Sequence, residues 1–313
     1  MAQFSNPELP EEINNSDDKP LRSFFALAGS ALLIGVVAAA ALAFFAGTVA
    51  RYLPYRTEVG LIERYAERFP PRDHPVEAYL QGIADRLVKG KDGAGGMALP
   101  EGMTIRVHYV NEPVINAFAT LGGHVAVFRG LLERVPDENV LAMVIAHEIA
   151  HAQHRHPIAS LGRGVAFGAM LSIVSAAAGS SVVESTLGRS GMLTLLSFSR
   201  AQEEEADETG VAALVRAYEH AGGATETFKV LQRAAAERGH SEAPEFLSTH
   251  PVTQERIARL AATIDKNGWK TEGTRTPIPE TVRVVMEKDA KEKPDSANKG
   301  GTKPQGRRMK DEG

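Results

Sequence analysis

Residues 136–151 read PDENVLAMVIAHEIAH, and this stretch decides the fold. Asp137 is a residue type that caps helix N-termini, Glu138 suits the positive end of a helix, and an apolar run follows. The pattern predicts a helix from Asp137 to His156, which Pro157 is expected to end because proline cannot continue a helix.

Two histidines lie four positions apart within this predicted helix. His147 and His151 would share one face, about 6 Å apart along the axis, so both rings can reach one metal ion. Glu148 projects about 100° away, which suits a base near the metal better than a third ligand. The motif arises by chance in roughly a few per cent of chains with this composition, so its partners matter.

A catalytic zinc site needs a third protein ligand. His154 shares the face of the histidine pair but lies about 10 Å along the axis from His147, too far in an unbroken helix. We expect His154 and His156 to be solvated residues at the negative end of the helix.

A carboxylate pair downstream offers a better donor. Glu203 and Asp207 are four residues apart in a predicted helix, so one could bind the metal while the other accepts a ring N–H from a ligating histidine. Gly210 continues that face and would allow the two helices to approach closely. Without the histidine pair, the same acidic cluster would be read as a solvated helix start.

The spaced motifs resemble the M48 family of membrane-associated zinc metallopeptidases. Besides the histidine motif, the resemblance rests on Ser199-Arg200-x-x-Glu203-x-x-x-Asp207 and on Thr249-His250-Pro251 followed by Arg256-Ile257, and it covers roughly residues 55–265. Residues 116–128 are similar to the strand that precedes the zinc helix, although Leu121 stands where relatives usually carry proline. The resemblance implies an α+β, mostly helical, zincin-like metalloprotease domain with a small β-sheet.

The resemblance also assigns roles to individual residues. Glu148 would be the general base, Asp207 would orient a ligand, and His250 would lie near the active site. There His250 would either donate to the developing oxyanion or occupy the open metal position in a resting form. One Zn²⁺ per chain would be held by three side chains: His147, His151 and Glu203.

The expected reaction is peptide hydrolysis without a covalent intermediate. Glu148 would remove a proton from water at the metal and return it to the leaving amine. The chain has no cysteine, which excludes a thiol nucleophile. Residues 104–110 and 124–128 alternate like strands, and we expect an extended or unfolded polypeptide to add alongside 124–128 as an edge strand.

An uncharged run from Ser23 to Ala50 is long enough to cross a bilayer as one helix. A cleaved secretory signal is the alternative, but the run is long and the region before it is acidic. Basic residues are nearly balanced on the two sides. We expect a single-pass protein of the bacterial inner membrane with its peptidase domain in the periplasm.

The remaining segments have different expectations. Residues 1–22 and 271–313 have the composition of disordered segments, and the mixed charge of the tail gives no indication of nucleic-acid binding. Residues 165–183 are uncharged and are expected to form a buried or membrane-skimming helix. A full crossing there would separate His147 from Glu203.

Two classes of function therefore remain open. The first is a membrane-anchored metalloendopeptidase that degrades misfolded or unassembled proteins, or a narrower processing peptidase. The second is a non-proteolytic, zinc-containing, chaperone-like or binding protein whose site is plugged.

Overall fold

The computed structural model describes residues 20–66, 73–93, 95–166, 197–237 and 245–292. The first element is a long helix, α1 (Pro20–Arg51). Within Leu21–Arg51 an 18-residue window has a mean hydropathy of 2.4, and only 7% of that window is buried. By length and composition α1 is able to cross a membrane, as predicted.

The domain that follows is α+β and mostly helical, as the sequence predicts. Its helices before the sheet are α2 (Tyr55–Ala66) and α3 (Pro75–Lys89). The sheet consists of β1 (Arg106–Val110), β2 (Ala117–Ala119) and β3 (His124–Phe128). The later helices are α4 (Arg129–Leu132), α5 (Glu138–Gln153), α6 (Arg200–Tyr218), α7 (Ala224–Glu237), α8 (Glu245–Thr249), α9 (Gln254–Lys266) and α10 (Glu280–Asp289).

The sheet order is β1-β3-β2, which corrects one expectation. β3 pairs with β1 in parallel and with β2 antiparallel, so both of its edges are occupied. An extended peptide therefore cannot add beside residues 124–128. β1 and β2 are the edge strands, and no strand of the described part of the chain pairs with their outer edges. The outer N–H groups of β1, at Val107 and Tyr109, donate to side chains of α3, Gln81 and Glu77.

The central helix α5 is buried almost throughout, from Glu138 to Ala152. Asp137 caps it as predicted, since its side chain accepts a hydrogen bond from the backbone N–H of Val140 at 3.0 Å. α6 packs against α5 at Gly210, where a Cβ atom would lie only 3.1 Å from the backbone nitrogen of His147. Glycine at this position thus allows the close helix approach that the sequence predicts.

The end of α5 differs from the prediction. The helix stops at Gln153, and Arg155 adopts a left-handed backbone with φ of 59°. Its guanidinium is held by the carboxylate of Glu58 at 2.7 Å and by the carbonyl of Leu53 at 2.6 Å. A second helical segment covers residues 156–166. Pro157 lies in its first turn, where a missing N–H costs nothing, so proline starts this segment rather than ending α5.

The C-terminal region also corrects the prediction of disorder from residue 271. Helix α10 (Glu280–Asp289) buries Val282 and Met286 in the main core. Asn111 Nδ2 donates to the carbonyl of Asp289 at 3.0 Å. The prediction from composition is therefore wrong for residues 280–289, which form a short amphipathic helix that packs against α3. The expectations for residues 1–19, 167–183 and 293–313 fall outside the described residues.

Candidate metal centre

His147 and His151 converge as the motif predicts. Both rings are buried, and their Nε2 atoms lie 3.1 Å apart. α6 brings Glu203 to the same point, with carboxylate oxygens 3.5 Å from His147 Nε2 and 3.5 Å from His151 Nε2. Three donors from two helices therefore face one position.

The spacing of these donors fits a tetrahedral ion. Metal–ligand distances of about 2.0–2.2 Å in tetrahedral geometry place neighbouring donor atoms about 3.3–3.6 Å apart. The two Nε2 atoms lie 3.1 Å apart, and each lies 3.5 Å from one oxygen of Glu203, Oε2 for His147 and Oε1 for His151, so the separations are close to that range. Two imidazoles and one carboxylate form a donor set that suits zinc.

His250 lies at the fourth corner of this arrangement. The residue is fully buried, and its Nδ1 is 3.3 Å from His147 Nε2 and 3.0 Å from Glu203 Oε1. Ligand atoms of all four residues lie within 4.8 Å of one another. The family resemblance allows His250 either to stabilise an oxyanion or to occupy the open metal position. Its location among the donors resembles that of a fourth ligand.

Asp207 holds the ring of His147. Its Oδ1 lies 2.9 Å from His147 Nδ1, a contact that directs Nε2 towards the other donors. Burial favours the neutral ring, but the hydrogen bonds to Asp207 and Glu203 outweigh it and raise the pKa of His147 to about 10. In the metal-free protein this ring is therefore a cation that must lose a proton to bind a metal.

Arg256 binds both carboxylates of the site. Its Nη1 lies 2.6 Å from Glu203 Oε2, and its Nε and Nη2 donate to the two oxygens of Asp207 at 2.9 and 2.8 Å. Burial opposes ionisation of Glu203, yet His250 and His147 lower the pKa of this carboxyl well below its usual range. Glu203 is consequently an anion and available as a ligand.

His151 is oriented by a residue that the sequence did not indicate. His156 Nδ1 lies 2.8 Å from His151 Nδ1, and His156 Nε2 lies 3.0 Å from Glu205 Oε2. His156 is fully buried, so its prediction as a solvated helix-end residue is wrong. The reason is the turn at Arg155, which folds the chain back towards α5. His154, by contrast, contacts Thr209 and Glu205 and stays out of the donor set, as predicted.

Glu148 lies beside the donors without joining them. Its Oε2 accepts a hydrogen bond from the backbone N–H of Ala119 at 2.8 Å, at the end of β2. Its Oε1 is buried, has no hydrogen-bond partner among the described residues, and lies 3.6 Å from His250 Nε2. Burial raises the pKa of the Glu148 carboxyl, a change that suits a general base.

Two further contacts of the site are not predicted by the sequence. The ring of Phe198 stacks on His151 at a centroid distance of 3.9 Å. The sequence motif includes Arg256 but predicts no partner for it. No spacing rule connects residue 198 or residue 256 to the histidine pair, because both reach it through tertiary packing of separate segments.

Comparisons with known proteins agree with this geometry. The sequence profile of peptidase family M48 matches residues 77–264. The chain is 30% identical over 208 residues to the mitochondrial metalloendopeptidase OMA1 of Schizosaccharomyces pombe, covering 64% of this chain and 56% of that protein. It is 34% identical over 202 residues to the beta-barrel assembly-enhancing protease of Escherichia coli K12, covering 59% and 38%. A putative beta-barrel assembly-enhancing protease of Vibrio cholerae is 35% identical over 195 residues, covering 59% and 38%. The chain thus spans between about two fifths and three fifths of the length of these relatives.

Proposed function

We propose, from the fact that the chain belongs to peptidase family M48, that it is a membrane-anchored, zinc-dependent metalloendopeptidase acting on misfolded or unassembled proteins. The observation that carries the proposal is the convergence of His147, His151 and Glu203 at tetrahedral spacing, with the free oxygen of Glu148 beside them. This combination matches the requirements of metal-assisted peptide hydrolysis.

The residues of the site divide the work of the reaction. When bound, zinc supplies a Lewis acid that polarises a peptide carbonyl and makes water more acidic. Glu148 takes the proton of the attacking water and delivers it to the leaving amine. The hydrogen bond from the Ala119 N–H fixes one carboxylate oxygen of Glu148, which leaves Oε1 to exchange the proton.

We propose that the substrate adds to the outer edge of β2. Asn116 and Thr120 pair with β3 on either side of β2, so alternation directs the N–H and C=O groups of Ala117 and Ala119 away from β3. Because the Ala119 N–H is donated to Glu148, a substrate backbone would pair with the N–H and C=O of Ala117 and with the C=O of Ala119. Backbone pairing there would place a peptide beside Glu148, because the Ala119 N–H already contacts that carboxylate. Such pairing reads the backbone rather than side chains, which suits unfolded substrates.

The contact between the end of α1 and the catalytic domain supports a site close to the membrane. α1 ends at Arg51, and the carbonyl of Leu53 accepts a hydrogen bond from Arg155, next to the end of α5. Polypeptides close to the bilayer surface are thus the accessible substrates. We propose the bacterial inner membrane with the domain in the periplasm, by analogy with single-anchor bacterial proteins.

The sidedness is directly testable because the chain has no cysteine. Lys266→Cys, at the end of α9, would be labelled by a membrane-impermeant maleimide in intact spheroplasts if the domain is periplasmic. Labelling only after lysis would place the domain in the cytoplasm.

The activity is tested by Glu148→Gln in the full-length protein with casein as the unfolded substrate. The variant should bind one zinc and lose cleavage, whereas Glu208→Gln, the same change on the exposed face of α6, should leave both unchanged. Undiminished cleavage by Glu148→Gln would exclude the proposed base.

The plugged site remains a second candidate because His250 completes the set of donors. In that case the protein would bind zinc and cleave no unfolded substrate, and Glu148→Gln would still support growth of a deletion strain. A regulated peptidase would differ from this plugged protein because displacement of His250 would open the fourth metal position to substrate, and cleavage would follow.

A further inference from the structure

A cavity of about 540 Å³ lies where the end of α1 meets residues 156–166 and the start of α6. The helices are in close contact here: a Cβ on Gly47 would lie 3.2 Å from the carbonyl oxygen of Ala159, and one on Gly162 would lie 2.8 Å from that of Ala46. The cavity is thus bounded by the membrane helix on one side and the catalytic domain on the other. Its lining includes Phe44, Arg51, Arg163, Phe198 and Gln202.

Two guanidinium groups in this lining have no acidic partner in the part of the chain that the structure describes. Arg163 Nη2 donates only to neutral oxygens, those of Ser160 at 2.7 Å and Gln202 at 3.3 Å. Burial and, secondarily, the positive charge of Arg51 lower the pKa of Arg163. The described residues therefore leave the positive charge of the two arginines without an acidic partner, and this charge favours an anion between them.

Gln202 adds a third donor. Its side chain is almost fully buried, and its Oε1 accepts hydrogen bonds from Ser199 N and from Arg163. Its Nε2, however, has no hydrogen-bond acceptor among the described residues. A buried amide donor without an acceptor is uncommon in folded proteins, and a ligand oxygen in the cavity would satisfy it.

The position of the cavity indicates the source of the anion. Arg51 ends the uncharged run of α1, while Phe44, two turns earlier on the same helix, is exposed on the apolar side. A ligand with a phosphate at the level of Arg51 and acyl chains along Phe44 would fill both parts of the lining. Free phosphate would use only the polar part.

We propose that this cavity binds the phosphate headgroup of an anionic membrane lipid. Arg51 and Arg163 bind the phosphate oxygens, and the Gln202 amide donates to one of them. The inference rests on the membrane placement of α1 and does not depend on peptidase activity. The cavity is separated from the metal ligands by one ring, since Phe198 lines it and also stacks on His151.

The test uses full-length protein in nanodiscs with equal amounts of phosphatidylglycerol and phosphatidylcholine. The protein is released from the nanodiscs in the mass spectrometer, and native mass spectrometry counts the lipid molecules that remain bound to it. The native protein should retain phosphatidylglycerol preferentially, Arg51→Gln should weaken the preference, and Arg51→Gln with Arg163→Gln should abolish it. The matched double variant Arg56→Gln with Arg233→Gln, at two exposed arginines outside the cavity, should keep it.

Several outcomes would overturn the proposal. Equal retention of the two lipids by the native protein would contradict the proposed lipid site. An unchanged preference in both the single Arg51→Gln variant and the double variant with Arg163→Gln would contradict it too. Displacement of phosphatidylglycerol by excess inorganic phosphate, with phosphate also binding in phosphatidylcholine-only nanodiscs, would assign the cavity to a soluble anion. Failure of the protein to enter nanodiscs would instead disprove the membrane placement, and cleavage of casein would still test the peptidase separately.

Discussion

His156 Nδ1 lies 2.8 Å from His151 Nδ1, so a histidine five residues beyond the motif supports one of its two metal-binding rings. If the Nδ1–H of His151 donates this hydrogen bond, His156 accepts it at Nδ1 and donates its own Nε2–H to Glu205 Oε2 at 3.0 Å. Burial lowers the pKa of His156 to about 4, which keeps the ring neutral and able to accept. The chain thus orients its two ligands differently, His147 through a carboxylate and His151 through a second imidazole.

His156→Gln should weaken zinc binding about 10–100-fold, the usual effect of removing a group that orients a ligand. The residue is a positioning residue, so excess zinc should restore activity. Zinc affinity is measured by competition with a chromophoric chelator. His154→Gln is the matched control and should bind zinc like the native protein. Equal affinities in the two variants would show that the contact with His151 has no such role.

His250→Ala should increase cleavage of unfolded protein if His250 closes the site. Removal of the imidazole frees the fourth position, while His147, His151 and Glu203 still hold the metal. If His250 stabilises an oxyanion instead, the variant should lose about 10²–10³-fold in kcat. Steady-state rates on casein, with zinc content measured on the same samples, separate the two roles by the sign of the change.

Zinc uptake should release about one proton per site between pH 7 and 9. His147, with a pKa of about 10 in the metal-free protein, is protonated there and must become neutral. His151 is already neutral, because burial lowers its pKa well below the usual value. Apparent affinity should thus rise with pH up to about 10 and then level off. Calorimetry in buffers of different ionisation enthalpy counts the protons, and Asp207→Asn should reduce their number. A proton count of zero at pH 8 in the native protein would contradict this assignment.

The metal ligands were accessible from the sequence because helical periodicity fixes the spacing within one element. His147 and His151 lie on one face of α5, and Glu203 and Asp207 on one face of α6. With 3.6 residues per turn, two residues four positions apart lie on the same face of a helix, so each pair can be predicted from its spacing. The family resemblance was needed to connect the two helices, since nothing local states that α5 and α6 meet.

The errors share a different cause. The central position of β3 depends on pairing with β1, eighteen residues earlier, and strand order is not encoded in the alternation of either strand. The early end of α5 depends on Arg155, whose left-handed turn is stabilised by Glu58 from a distant helix. In both cases contacts between residues far apart in the sequence determine the structure, and the local sequence pattern does not contain them.

Gly210→Ala should destabilise the fold by about 1–3 kcal/mol, because the added methyl group would lie 3.1 Å from the backbone nitrogen of His147. Gly82→Ala is the control: in α3 its Cβ meets no atom within 4 Å, and the change should stabilise by about 0.4–1 kcal/mol. Chemical denaturation of the metal-free proteins measures both. Stabilisation by Gly210→Ala would show that the helices can separate at no cost.

Met286→Ala tests whether the C-terminal helix belongs to the fold. Met286 is 4% exposed within the main core, so its truncation should cost about 2–5 kcal/mol. Val284 lies on the same helix but is 55% exposed, and Val284→Ala should change stability by less than about 0.5 kcal/mol. Alanine is at least as good a helix former as either residue it replaces, so a loss of stability in Met286→Ala reports lost packing and not lost helix propensity. Denaturation midpoints of the two variants measure the difference. If Met286→Ala costs no more stability than Val284→Ala, α10 does not contribute to the core. The prediction of a disordered tail from residue 271 would then be correct.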